Sequence, residues 1–301
     1  MAGRILCWLV SVLPQHAISR VIHALARWRW RPWKNFLIRA FTRSYGVNLG
    51  EAASPERDAY VSFNAFFTRA LAPGARPMAS DQNAITSPVD GVISEFGQIS
   101  QDRLIQAKQQ DYTLSELLGG DQALAQPFID GQFATVYLSP SDYHRIHMPI
   151  AGKLQQMLHI PGRLFGVSSP MVRHIPQLFA RNERVICVFE SAAGPMAMVL
   201  VGAIGVGSIE TVWAGEVTPP RGRRIRSWSY AHSQPLYTAG EEMGRFNLGS
   251  TVILLWGAEA MRWQADLAVG DTVRLGHLLG HYTPAPDDSG ITPIEGEPLG
   301  D

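Results

Sequence analysis

Cysteine is almost missing from this chain of 301 residues: only Cys7 and Cys187 occur. Two thiols so far apart make neither a disulfide framework nor a metal-binding spacing, and such sparse use fits a reducing compartment. No apolar run is long enough to span a bilayer, which takes about 20 residues. The N-terminal run Ile5–Leu13 ends at Pro14. A secretory signal with Ala24-Leu25-Ala26 as its cleavage site would have to accommodate His16, Arg20 and His23 between run and site, which argues against it. A regular alternation of strands and helices is also lacking, so a parallel α/β architecture is not expected.

Acidic residues are absent from the first 50 positions, although the whole chain is neutral. That segment holds eight of the 26 Lys and Arg residues: Arg4, Arg20, Arg27, Arg29, Arg31, Lys34, Arg39 and Arg43. Such asymmetry suggests an anionic surface as partner. Trp8, Trp28, Trp30 and Trp33 lie in the same segment. Ile18, Val21, Ile22, Leu25 and Trp28 recur at helical spacing. So do Trp33, Phe36, Leu37, Ala40 and Phe41, with Lys34, Arg39 and Arg43 on the other face. Tryptophan and arginine on amphipathic helices suit a membrane interface. Two other readings are helices packed on the protein's own core, with a solvated basic face, and nucleic-acid binding, for which no motif is present.

The remainder has the composition of a globular domain, the whole chain being 46% hydrophobic. Residues 55–70 predict a helix carrying Phe63, Phe66 and Phe67, followed by a linker at Pro73–Pro77. Strands are expected at Ala134–Leu138, Arg184–Glu190, Ala197–Ile204 and Gly207–Trp213, and around 252–256 and 272–275. The expected class is α+β: a mainly antiparallel β core with an N-terminal helical membrane-docking segment. Residues 1–50 form that segment and 51–301 a catalytic domain, with a loose tail from about 282.

Four features carry chemistry. Gly249-Ser250 stands where a turn enters the apolar strand Val252–Trp256. Attack of Ser250 Oγ on the Gly249 carbonyl would convert the amide to an ester. Elimination and hydrolysis would then leave a pyruvoyl group at position 250; the bland reading is an ordinary turn. Asp90, in Ser87-Pro88-Val89-Asp90-Gly91, reads most simply as a hairpin turn former. His144 and His147 follow a strand. They could converge on a metal if the chain turns tightly, or face opposite ways if it is extended, and no third ligand stands at a recognised spacing. Arg221, Arg223, Arg224 and Arg226, followed by Trp228 and Tyr230, predict a loop, either solvated or touching phosphate or membrane.

Together these blocks resemble the pyruvoyl-dependent phosphatidylserine decarboxylases in their short bacterial form, over about residues 55–281. The carriers are Ser87–Gly91, Tyr143-His144-Arg145-Ile146-His147, Leu178–Arg184, and Glu241–Phe246 leading into Leu248-Gly249-Ser250-Thr251. The resemblance implies a self-processing triad of Asp90, His147 and Ser250, with cleavage between Gly249 and Ser250. The products would be a large chain, 1–249, and a small chain, 250–301. It further implies that the pyruvoyl group, the covalent cofactor derived from Ser250, forms a Schiff base with phosphatidylserine, and that His144 lies where a proton must reach Cα. An acid of near-neutral pKa would suit that step. No metal or separate cofactor is implied. The implied setting is the cytoplasmic face of the cell membrane, bound peripherally to anionic lipid, as a homodimer of processed protomers. One block departs: Leu164-Phe165-Gly166-Val167-Ser168 stands where the family usually has Leu-Phe-Ser-Val-Asn, a change expected to touch substrate positioning. Competing readings are a zinc hydrolase using His144 and His147, and a membrane adaptor without catalysis.

Overall fold

The computed structural model describes residues 13–107, 110–205, 208–219, 222–247 and 250–284. Most of the apolar run 5–13, Arg221, Gly249 and the tail beyond 284 lie outside the described residues.

An antiparallel sheet of nine strands organises the molecule. Its order is Arg226–Ser229, Gly152–Ile160, Arg184–Ser191, Gly194–Val201, Ser250–Trp256, Gln132–Leu138, Gly91–Gln98 and Thr272–Val273. Leu236–Tyr237 adds to the start of Gly152–Ile160. Ser250–Trp256 sits near the middle, paired on both sides and buried at all seven positions. From Val252 on, its apolar run has no polar face to offer water, so only an interior position satisfies it. Each large side chain buried there contributes about 1.5–3 kcal/mol. A four-stranded sheet, Gly215–Thr218, Ile209–Thr211, Glu242–Phe246 and Arg145–His147, leads into this strand. The class is α+β, as expected.

Two N-terminal helices form where the periodicity places them, α1 over Gln15–Arg27 and α2 over Arg31–Tyr45. No helix among the described residues is long and apolar enough to cross a membrane. The faces of α1 and α2 differ from the expectation. Helix α1 buries Gln15 and Ser19 and exposes Val21, Leu25 and the following Trp28. In α2, Lys34 is buried and Phe36 is 61% exposed. Lys34 can be inside because its ammonium donates to Asn35 Oδ1 and to the Arg57 carbonyl, with Asp58 at 3.8 Å.

The helix expected over 55–70 shrinks to α3, Phe63–Phe67. Ser62 starts it by accepting the Ala65 N–H at 3.2 Å, and the chain leaves helical geometry after Thr68. Its three phenylalanines still share one face. They join Ala26, Ile38, Val47 and Tyr60 in a second, smaller core, with Phe41 edge-on to all three rings. The loop expected around Arg226 is a strand instead, because Arg226–Ser229 extends the large sheet along Gly152–Ile160. Arg226 itself is occupied, donating to His159 Nδ1 and to the Val217 carbonyl.

Candidate active site

The corner between the two sheets holds the residues of interest. Strand Glu242–Phe246 ends beside His144, whose carbonyl accepts the Phe246 N–H at 3.0 Å. Asn247 follows and is gripped from two sides. Its N–H donates to the Ser208 carbonyl, its Nδ2 to Ser208 Oγ, and its Oδ1 accepts from Asn64 Nδ2 at 2.8 Å. The direction of the chain is thus fixed three residues before Ser250.

Ser250 is fully buried as the first residue of the central strand, opposite Leu138. Among the described residues its Oγ has no hydrogen-bond partner. A buried hydroxyl without a partner costs free energy on the order of 1–3 kcal/mol, so such a group invites a chemical explanation. A cavity of about 180 Å³ lies against it, lined also by Tyr137, Leu138, Pro140, Gly166, Val167, Ser168, Ala203 and Ile204. The departing block is therefore part of the wall. A Cβ at Gly166 would meet only Met171 and Ile204, at 3.7 and 3.9 Å, which is ordinary contact.

The expected triad is not joined by hydrogen bonds. His147 is held at both ring nitrogens, Nδ1 donating to the Gly240 carbonyl at 2.8 Å and Nε2 accepting from the Tyr143 hydroxyl at 3.0 Å. Asp90 is engaged by Arg76 and by the Leu275 N–H at 2.8 Å. Asp90 and His147 nevertheless come from one neighbourhood. The His147 N–H donates to the Pro88 carbonyl, and Asp90 contributes to the field at the His147 ring. Burial is the largest influence there and pulls the His147 pKa down, leaving a neutral imidazole. The Asp90-Gly91 pair is not a hairpin turn. Strand Gly91–Gln98 pairs with Gln132–Leu138 rather than with its predecessor, and a Cβ at Gly91 would collide with the Tyr137 carbonyl oxygen.

His144 is fully buried, with the Phe67 ring tilted against it at 4.2 Å between ring centres. Its Nδ1 donates to the Asp142 carbonyl at 2.8 Å, so Nε2 is the unprotonated nitrogen and has no partner among the described residues. Burial pulls its pKa down to about 3. This corrects the expectation of a near-neutral acid: the environment is too dry to keep an imidazolium. His144 can accept a proton and pass it on, but it does not store one at neutral pH.

Sequence reasoning missed Arg76, Tyr143, Asn64 and Asn247. Tyr143 was inside a quoted motif. Arg76 was hidden in a stretch that read as a linker, and the asparagines carried no local signal. Among the described residues no three His, Cys, Asp or Glu side chains converge to hold a metal ion, and His144 and His147 turn to different neighbours.

A buried serine opening the central strand of an antiparallel α+β fold, beside a small cavity, defines a class of chain with a hydroxyl sealed inside its largest sheet. The family model described as phosphatidylserine decarboxylase matches residues 63–281, and one described as PSD matches 6–46. A protein of Alkalilimnicola ehrlichii is 59% identical over 249 residues, 82% of this chain and 86% of its own length. One of Methylococcus capsulatus is 53% identical over 270 residues, 89% and 93%. One of Pseudomonas putida is 50% identical over 282 residues, 93% and 98%. All three bear the name phosphatidylserine decarboxylase proenzyme. The chain belongs to the phosphatidylserine decarboxylase family.

Proposed function

We propose that this chain is a phosphatidylserine decarboxylase that activates itself by breaking the bond between Gly249 and Ser250. It then converts phosphatidylserine to phosphatidylethanolamine and carbon dioxide. The observation that carries the reading is the sealed Ser250 hydroxyl, without a partner among the described residues, in a family whose relatives are named proenzymes.

Self-cleavage needs a base for Ser250 Oγ and an orienter for that base. His147 is the base: burial keeps it neutral, and its Nε2 is free to take the proton once the Tyr143 hydroxyl gives way. Asp90 stabilises the resulting imidazolium. Oγ attacks the carbonyl carbon of residue 249 and the amide becomes an ester. Elimination releases the new carboxylate of the large chain. Hydrolysis of the unsaturated residue left at 250 then releases ammonia.

The surroundings of Ser250 suit a pyruvoyl group, since the cavity is lined mainly by apolar side chains and a buried imidazole acceptor lies on the loop leaving Leu138, the ladder partner of Ser250. Such a group supplies a carbonyl that captures the substrate amine and accepts the electron pair left when carbon dioxide departs. His144 relays a proton through Nε2, and Ser168 and Tyr137 offer the polar contacts of the cavity wall. Residues 1–50 act as the docking segment and 51–301 as the catalytic domain. Arg20, Val21 and Leu25 on α1, Trp28 just after it, and Phe36, Arg39 and Arg43 on α2 meet an anionic lipid surface. We place the enzyme peripherally on the cytoplasmic face of the cell membrane, as a homodimer of processed protomers.

Denaturing mass spectrometry of the purified protein tests the core of this reading. Two polypeptides, 1–249 and 250–301, are expected, with Ser250→Ala giving one. Borohydride with phosphatidylserine should trap an adduct on the small chain. A single uncut chain with full decarboxylase activity would sink the proposal.

A further inference from the structure

Helix α1 inverts the usual rule for a surface helix. Its inner face carries buried Gln15 and Ser19, while Val21 and Leu25 point outwards. Burying polar side chains is unfavourable unless each finds a partner, and these two find theirs on loops whose neighbouring residues line the Ser250 cavity. The Leu164 N–H donates to Gln15 Oε1 at 2.9 Å. Two residues further on, the same loop lines the cavity with Gly166, Val167 and Ser168. The Gly205 N–H donates to Ser19 Oγ at 3.3 Å, directly after Ala203 and Ile204, which line it too. His16 adds a third tie, donating from Nε2 to the Gly162 carbonyl at 2.9 Å. The far end of α1 is fastened to Glu216 through His23 and Arg27.

We propose that α1 is a strut that sets the shape of the reaction cavity. Gln15 and Ser19 act as positioning residues that hold two separate wall loops in register. The helix is stiff, so any rotation or lift of α1 moves both loops together. A helix lying on a bilayer through its outer face would thereby fix the cavity that receives the lipid headgroup. This last link rests on the docking and decarboxylase readings above. The tie between helix and cavity rests on the hydrogen bonds alone.

The test separates the strut from simple anchoring. Gln15→Met and Ser19→Ala, singly and together, are assayed with a short-chain phosphatidylserine that is soluble as a monomer and needs no membrane delivery. Co-sedimentation with vesicles of phosphatidylglycerol in phosphatidylcholine is measured in parallel. The double variant is expected to raise KM for the soluble substrate on the order of tenfold, with a smaller change in kcat, while still sedimenting with vesicles. An unchanged KM on the soluble substrate, or a loss seen only with vesicles, overturns the proposal. Should the double variant lose its cooperative melting transition, the single variants give the same readout, each expected to raise KM by a smaller factor. Failure of the unaltered protein to sediment would count against the docking reading and leave the KM comparison decisive for the strut.

Discussion

Arg76 grips Asp90 with two prongs, Nε to Oδ1 at 3.0 Å and Nη2 to Oδ2 at 2.6 Å, and both side chains are less than a tenth exposed. The same guanidinium also binds Glu51 at 2.7 Å. A carboxylate has about four acceptor positions; Arg76 and the Leu275 N–H occupy those of Asp90, which therefore acts on His147 through its field. Arg76 therefore belongs to the proposed machinery as the residue that holds Asp90 in place.

Arg76→Met would leave Asp90 buried without its cation. Removing one partner of a buried ion pair costs roughly 3 kcal/mol or more, so a large fall in the urea midpoint and slowed self-cleavage are expected. Arg76→Lys should recover part of the stability but less of the cleavage rate, since an ammonium cannot reproduce the fork. A time course on denaturing gels checks this; equal cleavage by all three forms would remove Arg76 from the account.

Asn247 fixes the chain entering the expected cut. Asn247→Ala loses the bonds to Asn64 and Ser208 and should slow cleavage on the order of tenfold, with a stability loss of about 1–2 kcal/mol. Asn64→Ala, which removes only one of those bonds, should show a smaller version of the same effect.

Acid should weaken the fold through His144. An unfolded histidine takes up its proton near pH 6.5, whereas burial delays this in the folded protein to about pH 3. Throughout that window the unfolded state binds more protons, so stability falls as pH drops, by about 1.4 kcal/mol per pH unit for one such group. His147, shifted the same way by burial, adds to the slope. Urea midpoints at pH 7.5 and 5.5 measure it, and His144→Gln should flatten it. A variant with the full pH slope would mean that His144 is not the group responsible.

Lipid docking should fail when the outer face of α1 is made polar. Val21→Asp with Leu25→Asp removes two exposed apolar side chains and adds charge that anionic lipid repels. Vesicle co-sedimentation should fall on the order of tenfold or more. Undiminished binding would show that α1 does not face the lipid.

The strands were legible because their residues leave little choice. Gln132–Leu138, Arg184–Ser191, Gly194–Val201 and Ser250–Trp256 are apolar, β-branched runs bounded by turn residues, and each stands within a few residues of its expected place. The helical periodicity of α1 and α2 was equally plain. Which face each would bury was not. Lys34 goes inside because Arg57 and Asp58, more than 20 positions away, supply its partners. The same limit applies at the site. Ser250, His144 and His147 stood out by motif, but their partners depend on contacts that no local pattern encodes. Arg76 reaches Asp90 from a loop, and Tyr143 occupies the nitrogen that His147 was expected to offer to Ser250.

The place of Ser250 in the large sheet decides what a break before it would do. The strand it opens is clasped between Gly194–Val201 and Gln132–Leu138, both on the other side of the proposed cut. Two severed polypeptides would therefore migrate as one body under native conditions and part only in denaturant. Once parted they would not readily reassemble, because the short fragment would have to thread back into the middle of a sheet rather than add to its edge.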